Sequence, residues 1–447
     1  MQVADLPPVE HDAFDYVQTS GGIEEYRLRA NGLQVLLLPS AAAPVATFMV
    51  TYRVGSRNER AGLTGATHLL EHLMFKGTER FHKDRGTSIF PVLQRVGAQI
   101  NATTWYDRTN YYELLPKEHL GLAVEIEADR MRNARVSADD LASERTVVLN
   151  ELDRGENEST RKLLHALYAT AFFAHPYGHP TIGWRSDVER VTAEGLRHFY
   201  DTYYWPDNAT ASVIGDFDRA EALALIEQHF GAITAAPDPF EHNVTEEPPQ
   251  QGERRVTVRT AGQLGAVMLG FKSVAALDPA ADAVDVLGVA LGGGKSARLY
   301  RYLTDRGLTT SVFAYAPRLR DPGLFIVYGA LAPDVTHATV EAALWDALRA
   351  IADEGITEAE LRRAKNQIVT SEAFGRDGPY AVASELNEAI AAGDWTLFTT
   401  YIDRIERVTL ADVQAAAQRT FQRDTMTVGL YDPILPDADE PGRPSSN

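Results

Sequence analysis

The chain has 447 residues, of which 45% are hydrophobic, and its formal net charge at pH 7 is -19. The length predicts two or three domains, and the acidic charge argues against nucleic acid as a partner. The sequence contains no cysteine, which excludes disulfides and thiolate ligands, so any metal must be bound by His, Asp or Glu. No apolar run reaches the length of a membrane span, so no transmembrane helix is predicted.

The amino terminus is the first feature with a bearing on compartment. Residues 1–15 are polar and lack the apolar core of a secretory signal, so we expect the start of a mature domain from which any signal peptide has been removed. Because a chain without cysteine fits an exported protein, we predict the periplasm, with the cytoplasm as the alternative.

The first predicted elements are strands, followed by helices. Asn31-Gly32 is a turn signal between two alternating segments, so residues 24–39 predict a β-hairpin. Residues 45–54 predict a further strand. Residues 61–76, a run without proline, and residues 87–96 predict two helices.

The first of these helices carries the motif H-L-L-E-H, which contains His68, Glu71 and His72. Residues four apart lie on one helical face, and Glu71 lies on that face too. Two imidazoles at this spacing can hold Zn²⁺, and an adjacent carboxylate can act on a water bound to the metal. The order H-x-x-E-H is the inverse of the H-E-x-x-H zinc motif. The alternative is a helix that carries these three residues without a metal.

A later helix offers two candidates for a third ligand. After predicted strands at 97–105 and 109–115 and a helix at 117–133, Ser137 opens a helix that carries Glu144 and Glu151. The two glutamates are seven residues apart and share one face. A catalytic zinc needs three protein ligands, and either glutamate could reach it. An ordinary acidic helix face is the alternative.

The second half of the chain begins after a polar, proline-rich segment. A helix over 191–203 and a strand over 209–215 precede residues 233–254, which we interpret as a linker. This division predicts one domain over residues 1–232 and another over 255–447.

The two domains have the character of a diverged duplication. Residues 189–192 (E-R-V-T) recur at 406–409, and residues 136–141 resemble 356–361, at offsets of 217 and 220 residues (406 − 189 and 356 − 136). The motif H-x-x-E-H does not recur. We therefore expect metal chemistry in the first domain only.

Two further motifs and the tail predict no chemistry. His175 and His179 flank a proline and a glycine that oppose a helix, so a structural loop is expected. The run G-G-G-K-S at 292–296 lacks the first glycine of a P-loop, because Val289 stands in its place. The preceding residues 281–291 predict a helix. The tail after residue 433, rich in Pro, Asp and Ser, is expected to be loose.

A family resemblance extends over nearly the whole chain. The ordered motifs H-L-L-E-H, G-A-Q-I-N-A-T-T, E-R-T-V-V-L-N-E-L, H-P-Y-G and G-G-G-K-S-A-R-L-Y resemble the pitrilysin and mitochondrial processing peptidase family. The resemblance implies an α+β fold with two homologous α/β-roll domains. Each domain would be a mostly antiparallel sheet covered by helices, and the two would face each other across a chamber that admits peptides.

The resemblance also implies roles for individual residues. His68, His72 and Glu151 match the zinc ligands of the family, and Glu71 matches the residue that activates the water. Glu144 matches an acid that orients a ligand histidine.

Asn101 and Ala102 match the edge strand to which an extended peptide substrate adds as a further strand. An ordinary strand is the alternative. The function implied is that of a zinc-dependent endopeptidase. A non-catalytic scaffold subunit, like the core proteins of the bc1 complex, is the alternative, but such subunits typically have eroded metal motifs. We also expect a preference for cationic peptides, because the chain is acidic.

The chain departs from the family in its second half. Active members carry an arginine and a tyrosine that hold the substrate backbone, where this chain has Thr304 and Thr310. In the family, two-domain subunits pair so that four domains enclose one chamber. The alternative is that a nearby side chain of this chain compensates, although no spacing selects one; the candidates are Arg298, Tyr300, Arg301, Tyr302, Arg306 and Tyr315. We predict a heterodimer with a homologous chain that supplies the arginine and tyrosine.

Overall fold

The computed structural model describes residues 7–434 apart from 157, 239 and 241–243. The tail predicted to be loose lies outside the described residues beyond residue 434. In the described part of the chain, every helix is too short or too polar to cross a lipid bilayer.

The first half of the chain forms a seven-stranded sheet in the order β1-β2-β3-β7-β4-β6-β5. Its strands are β1 (Phe14–Ser20), β2 (Ile23–Leu28), β3 (Gln34–Pro39), β4 (Val45–Tyr52), β5 (Gln99–Thr104), β6 (Thr109–Pro116) and β7 (Ala209–Gly215). Its helices are α1 (Ala66–Met74), α2 (Ile89–Arg95), α3 (Leu120–Asn133), α4 (Ala138–Gly155), α5 (Ser159–Ala171), α6 (Arg185–Arg190), α7 (Ala193–Tyr203) and α8 (Arg219–Phe230).

The second half forms a five-stranded sheet in the order β10-β11-β9-β12-β8. Its strands are β8 (Arg254–Ala261), β9 (Ala266–Lys272), β10 (Thr309–Tyr315), β11 (Leu324–Leu331) and β12 (Met426–Ile434). Its helices are α9 (Ala281–Gly292), α10 (His337–Glu354), α11 (Glu358–Gly375), α12 (Pro379–Ala392), α13 (Thr396–Arg407) and α14 (Leu410–Thr420).

The two halves repeat one topology, as the sequence repeats predict. Without the β1-β2 hairpin, the order β3-β7-β4-β6-β5 corresponds strand by strand to β8-β12-β9-β11-β10. The pairs β3·β7 and β8·β12 are both parallel, and the other neighbouring strands are antiparallel. Helices α4 and α11 both have 18 residues, capped by Ser137 and Thr357 respectively. The predicted α+β class with two homologous, mostly antiparallel sheets is confirmed.

Most predicted elements occur, with shifted ends that have local causes. The helix predicted from residue 61 begins at Ala66, because Gly62 and Gly65 have left-handed φ angles of 87° and 83°. The helix predicted over 191–203 begins at Ala193, where Thr192 caps it by accepting from the Gly195 N–H. Strand β1 was not predicted. The helix predicted over residues 281–291, before the run excluded as a P-loop, is confirmed and forms helix α9.

Helix α5 belongs to the first half but packs on the sheet of the second. Leu163 and Leu167 are fully buried and belong to one core cluster with β9, β11 and β12. The sheet accommodates them through two glycines. A methyl group at Gly270 would lie 3.0 Å from Leu167, and one at Gly429 would lie 3.0 Å from Leu163.

Helix α12, the counterpart of α5 in the second half, packs on the first sheet. Leu386 and Ile390 are buried in one cluster with Leu36, Met49 and Ile214. The two helices start 220 residues apart (379 − 159), the same offset that relates α4 and α11. Each half therefore covers an inner face of the other, an arrangement that we call the helix exchange.

A buried polar junction also joins the halves. Arg57 donates through Nε to Asp321 Oδ2 at 2.5 Å, and His175 Nε2 lies 3.0 Å from the same carboxylate. The Tyr177 hydroxyl donates to Asp107 at 2.8 Å, and burial raises the pKa of Asp107 to about 6. The H-P-Y-G loop thus has the structural role that its proline and glycine predict.

Candidate active site

Helix α1 is held in place from outside its own sequence. Its N-cap is Gly65, which has no side chain to satisfy the first N–H groups. The buried Glu59 carboxylate replaces a capping side chain, because it accepts from the Gly65 and Thr67 N–H groups at 2.8 Å each. Burial raises the pKa of Glu59 to about 8. The helix is therefore fixed at its start, about one helical turn before His68.

The three residues matched to zinc ligands lie together. His68 Nε2 is 3.7 Å and His72 Nε2 is 4.0 Å from Glu151 Oε2. Among the described residues these three side chains form a group whose ligand atoms all lie within 4.8 Å of one another. The loop residues His175 and His179 do not belong to that group.

The donor set fits a zinc ion. Two imidazoles and one carboxylate are a known ligand set for catalytic zinc, and bonds of roughly 2.0–2.2 Å in tetrahedral geometry separate the donors by about 3.4 Å. The observed 3.7 and 4.0 Å are close to that value. Burial, and then the neighbouring His72, lower the pKa of His68 to about 3, so its imidazole is neutral and free to coordinate.

Glu144 lies on the opposite side of His72 from Glu151. Its Oε2 is 2.9 Å from His72 Nδ1, and its other oxygen forms an ion pair with Lys76. Burial acts to raise the pKa of Glu144, but the hydrogen bonds from Lys76 and His72 outweigh it and lower the pKa. A proton on Nδ1 leaves Nε2 of His72 as the lone-pair donor toward the metal position.

We expect a Glu144→Gln variant to bind zinc about 10- to 100-fold more weakly, the usual effect of removing an acid that orients a ligand histidine. Competition with a chromogenic chelator measures the affinity. Asp139→Asn, an exposed change on the same helix, is the control and should leave the affinity unchanged. Equal affinities in both variants would contradict the role given to Glu144.

Glu71 lies beside this group, and its carboxylate is nearly buried, with 9% of the residue exposed. Thr104 Oγ1 donates to Glu71 Oε2 at 2.5 Å, the one hydrogen bond that the described residues offer to that carboxylate. Burial raises the pKa of Glu71, although the bond from Thr104 acts to lower it. A carboxyl with a raised pKa next to a metal position is suited to take up and release a proton.

Asn101 and Ala102 lie on β5, the edge strand of the first sheet. Asn101 is exposed and Ala102 is buried, with β6 on one side of the strand. The other side presents unpaired backbone groups that a peptide can meet. Since β5 ends at Thr104, the free edge leads directly to Glu71.

The second-half segment carries threonine at both departures, and close to Thr304 the exposed Arg306 lies over the Tyr302 ring, with its guanidinium carbon 4.2 Å from the ring centroid. Thr304 ends a π-helical turn (Tyr300–Thr304) and its hydroxyl bonds that of Thr309 at 2.9 Å. Thr310 is exposed on β10. Of the neighbouring arginines, Arg298 is held by a two-pronged ion pair to Glu360 at 2.7 and 2.8 Å.

The sequence interpretation missed three residues at this site: Glu59, Lys76 and Thr104. Lys76 follows His72 by four residues, so the helical period could have indicated its proximity. Thr104 belongs to the recognised G-A-Q-I-N-A-T-T motif, but only the register of β5 against α1 brings it to Glu71. Glu59 lies seven residues before the first residue of the helix (66 − 59), outside any capping pattern that the sequence reveals.

Known proteins are similar to this chain over both halves. Residues 34–184 match the insulinase family, peptidase family M16, and residues 190–368 match the peptidase M16 inactive domain. An uncharacterized zinc protease of Streptomyces coelicolor is 31% identical over 404 residues, which cover 88% of this chain and 86% of that protein. A probable mitochondrial-processing peptidase subunit beta of Arabidopsis thaliana is 25% identical over 420 residues, which cover 91% and 78%.

The fold has solved relatives as well. The crystal structure of a protease from Helicobacter pylori matches with a TM-score of 0.87 and 27% identity, covering 93% of this chain and all of that one. The two family matches together cover more than half of the chain and reach into both sheets, and the Streptomyces relative exceeds 30% identity over most of its length. This chain therefore belongs to peptidase family M16.

Proposed function

We propose that this protein is the zinc-bearing subunit of an endopeptidase that cleaves unfolded peptides. The observation that supports this function best is the proximity of His68, His72 and Glu151 to Glu71, at the end of a free sheet edge. Relatives that are named zinc proteases support the same activity.

In the proposed mechanism, a peptide adds to β5 by backbone hydrogen bonds and passes Asn101 and Ala102 toward Glu71. Zinc held by the two histidines and Glu151 would polarise the scissile carbonyl and lower the pKa of the attacking water. Glu71 takes a proton from that water and later delivers it to the leaving amine. Glu144 keeps His72 oriented, and Thr104 keeps the Glu71 carboxylate in place.

We further propose that the active form is a heterodimer in which a homologous chain supplies an arginine and a tyrosine. Thr304 and Thr310 are too short to hold a substrate backbone, and Arg298 is engaged by Glu360. The lone chain would then lack contacts that stabilise the transition state, although it keeps the ligand set. A relative that is itself named as a subunit of a peptidase supports this arrangement.

The proposal also includes the domain bounds, the cellular compartment and the charge of the substrate. The domain division at residues 1–232, 233–254 and 255–447 is retained, with the chamber enclosed between two paired subunits. The periplasm remains the proposed compartment, on the ground that the sequence has no cysteine. Cationic peptides are the proposed substrates.

The test uses the purified full chain, alone and mixed with the homologous chain encoded nearest to it. We expect about one zinc per chain, weak hydrolysis of short unstructured peptides by the lone chain, and strong hydrolysis by the mixture. Full activity of the lone chain would refute the heterodimer proposal and would agree with the peptidase proposal. A chain that neither binds zinc nor cleaves in either form would instead be the non-catalytic scaffold.

A further inference from the structure

Arg108 fastens the end of the edge strand β5. It lies in the tight turn between β5 and β6 and is 9% exposed. Its Nη1 donates to the Thr103 carbonyl at 3.0 Å and to Asn110 Oδ1 at 3.1 Å, and it also contacts the Thr103 hydroxyl. The last residues of β5 are therefore tied to β6 by this guanidinium group, in addition to the strand ladder and a hydrogen bond from Thr103 Oγ1 to Asn110 Oδ1.

The other edge of the same guanidinium group donates to a carboxylate from the second half of the chain. Nε and Nη2 of Arg108 donate to Glu388 Oε1 at 3.0 and 2.5 Å. Glu388 lies on α12, the exchanged helix, 280 residues later in the chain. The preceding residue, Asn387, is buried and accepts from Thr51 Oγ1 on β4 at 2.8 Å. Glu388 is thus presented to Arg108 from a helix that is itself anchored on the first sheet.

The strand end held by Arg108 is also the strand end that contacts Glu71. Thr103 and Thr104 are consecutive, so their side chains point to opposite faces of β5. Thr103 meets Arg108 on one face, and Thr104 donates to Glu71 on the other. A shift of the turn would therefore displace the hydroxyl that orients the Glu71 carboxylate.

The expected effect is on geometry rather than on stability. The Glu388 side chain is 47% exposed, and an ion pair at such a site adds little to the stability of a fold. A displacement of about 1 Å at a catalytic group, by contrast, can lower the rate by about 10²-fold.

Building on the proposed peptidase function, we propose that Glu388 and Arg108 are positioning residues that act through Thr104 on Glu71. The second half, which lacks the metal motif, would thereby control the alignment of the proton-transferring group in the first.

The experiment compares Glu388→Gln, Thr104→Val and their double variant, in the full chain with whatever partner the wild type needs for activity. We expect kcat to fall about tenfold in Glu388→Gln and about 10²-fold in Thr104→Val, with KM and zinc content unchanged. If Glu388 acts through Thr104, the double variant will match Thr104→Val to within about twofold. Thr104→Ser, which keeps the hydroxyl, should recover most of the rate.

Glu385→Gln is the matched control, because Glu385 lies one turn earlier on α12 but pairs with Arg376 at 3.3 Å and not with Arg108. It should leave kcat unchanged. Equal kcat values in Glu388→Gln and Glu385→Gln, or losses in the double variant that multiply, would overturn the proposal.

Hydrogen exchange gives a readout that does not depend on activity. Amides of residues 99–104 should exchange faster in Glu388→Gln than in Glu385→Gln. The two proposals can fail separately. If the wild type cleaves no peptide, the peptidase proposal fails. If amide exchange in both variants equals that of the wild type, the link from α12 to β5 is refuted.

Discussion

A Glu71→Gln variant should keep its zinc and lose peptide hydrolysis by about 10²- to 10⁴-fold, the usual effect of removing a positioned acid–base group. Glutamine has the shape of glutamate and can still accept the hydrogen bond from Thr104. Its amide cannot take up the proton of the attacking water. Zinc content by elemental analysis and kcat on a quenched fluorescent peptide measure the two properties separately.

A His72→Ala variant is the natural comparison, because it should differ from Glu71→Gln in zinc content. It removes one of the two imidazoles next to Glu151, so zinc and activity should be lost together. The exposed change Asp139→Asn should lose neither. Hydrolysis at the wild-type rate by Glu71→Gln would remove Glu71 from the mechanism.

Replacing Arg130 by methionine should lower the free energy of unfolding by about 3–5 kcal/mol, because breaking a buried ion pair leaves an uncompensated charge. Arg130, Glu113 and Glu127 have no exposed surface. Arg130 donates through Nε to Glu127 Oε2 at 2.9 Å and through Nη2 to Glu113 Oε1 at 3.3 Å. Without the arginine, two carboxyl groups remain in an apolar environment.

Burial, and then the neighbouring Glu127, raise the pKa of Glu113 even with Arg130 present. Arg349→Met is the control, because Arg349 and Asp353 form a surface pair whose side chains are 64% and 70% exposed. Its loss should cost at most about 0.5 kcal/mol. Urea denaturation of both variants measures the difference, and similar losses would show that the buried cluster does not stabilise the fold.

The sequence predicted the part of the site that lies within one helical turn. Spacing alone puts His68, Glu71 and His72 on a common face. It could not choose between Glu144 and Glu151, since both lie on one face of another helix. The choice came from the family resemblance, and the structure brings Glu151 to both Nε2 atoms and Glu144 to Nδ1 of His72.

Contacts that depend on tertiary register were beyond sequence reasoning. The hydrogen bond between Thr104 and Glu71 requires the end of a strand to meet the middle of a helix. The pairing of Arg108 with Glu388 joins residues 280 positions apart. An amphipathic pattern shows that a helix such as α5 buries one face, but not which sheet covers it.

The helix exchange makes the molecule a tethered dimer of its own halves. If the two halves were expressed separately, each would expose an apolar sheet face and lose the helix that fills it, so neither is expected to persist alone. A single ancestral half could bury the same faces by trading its helix with a second copy, as an isologous domain-swapped homodimer. In this chain the two halves are covalently joined, so the association is intramolecular, and the half without the metal motif supports the other through its helix.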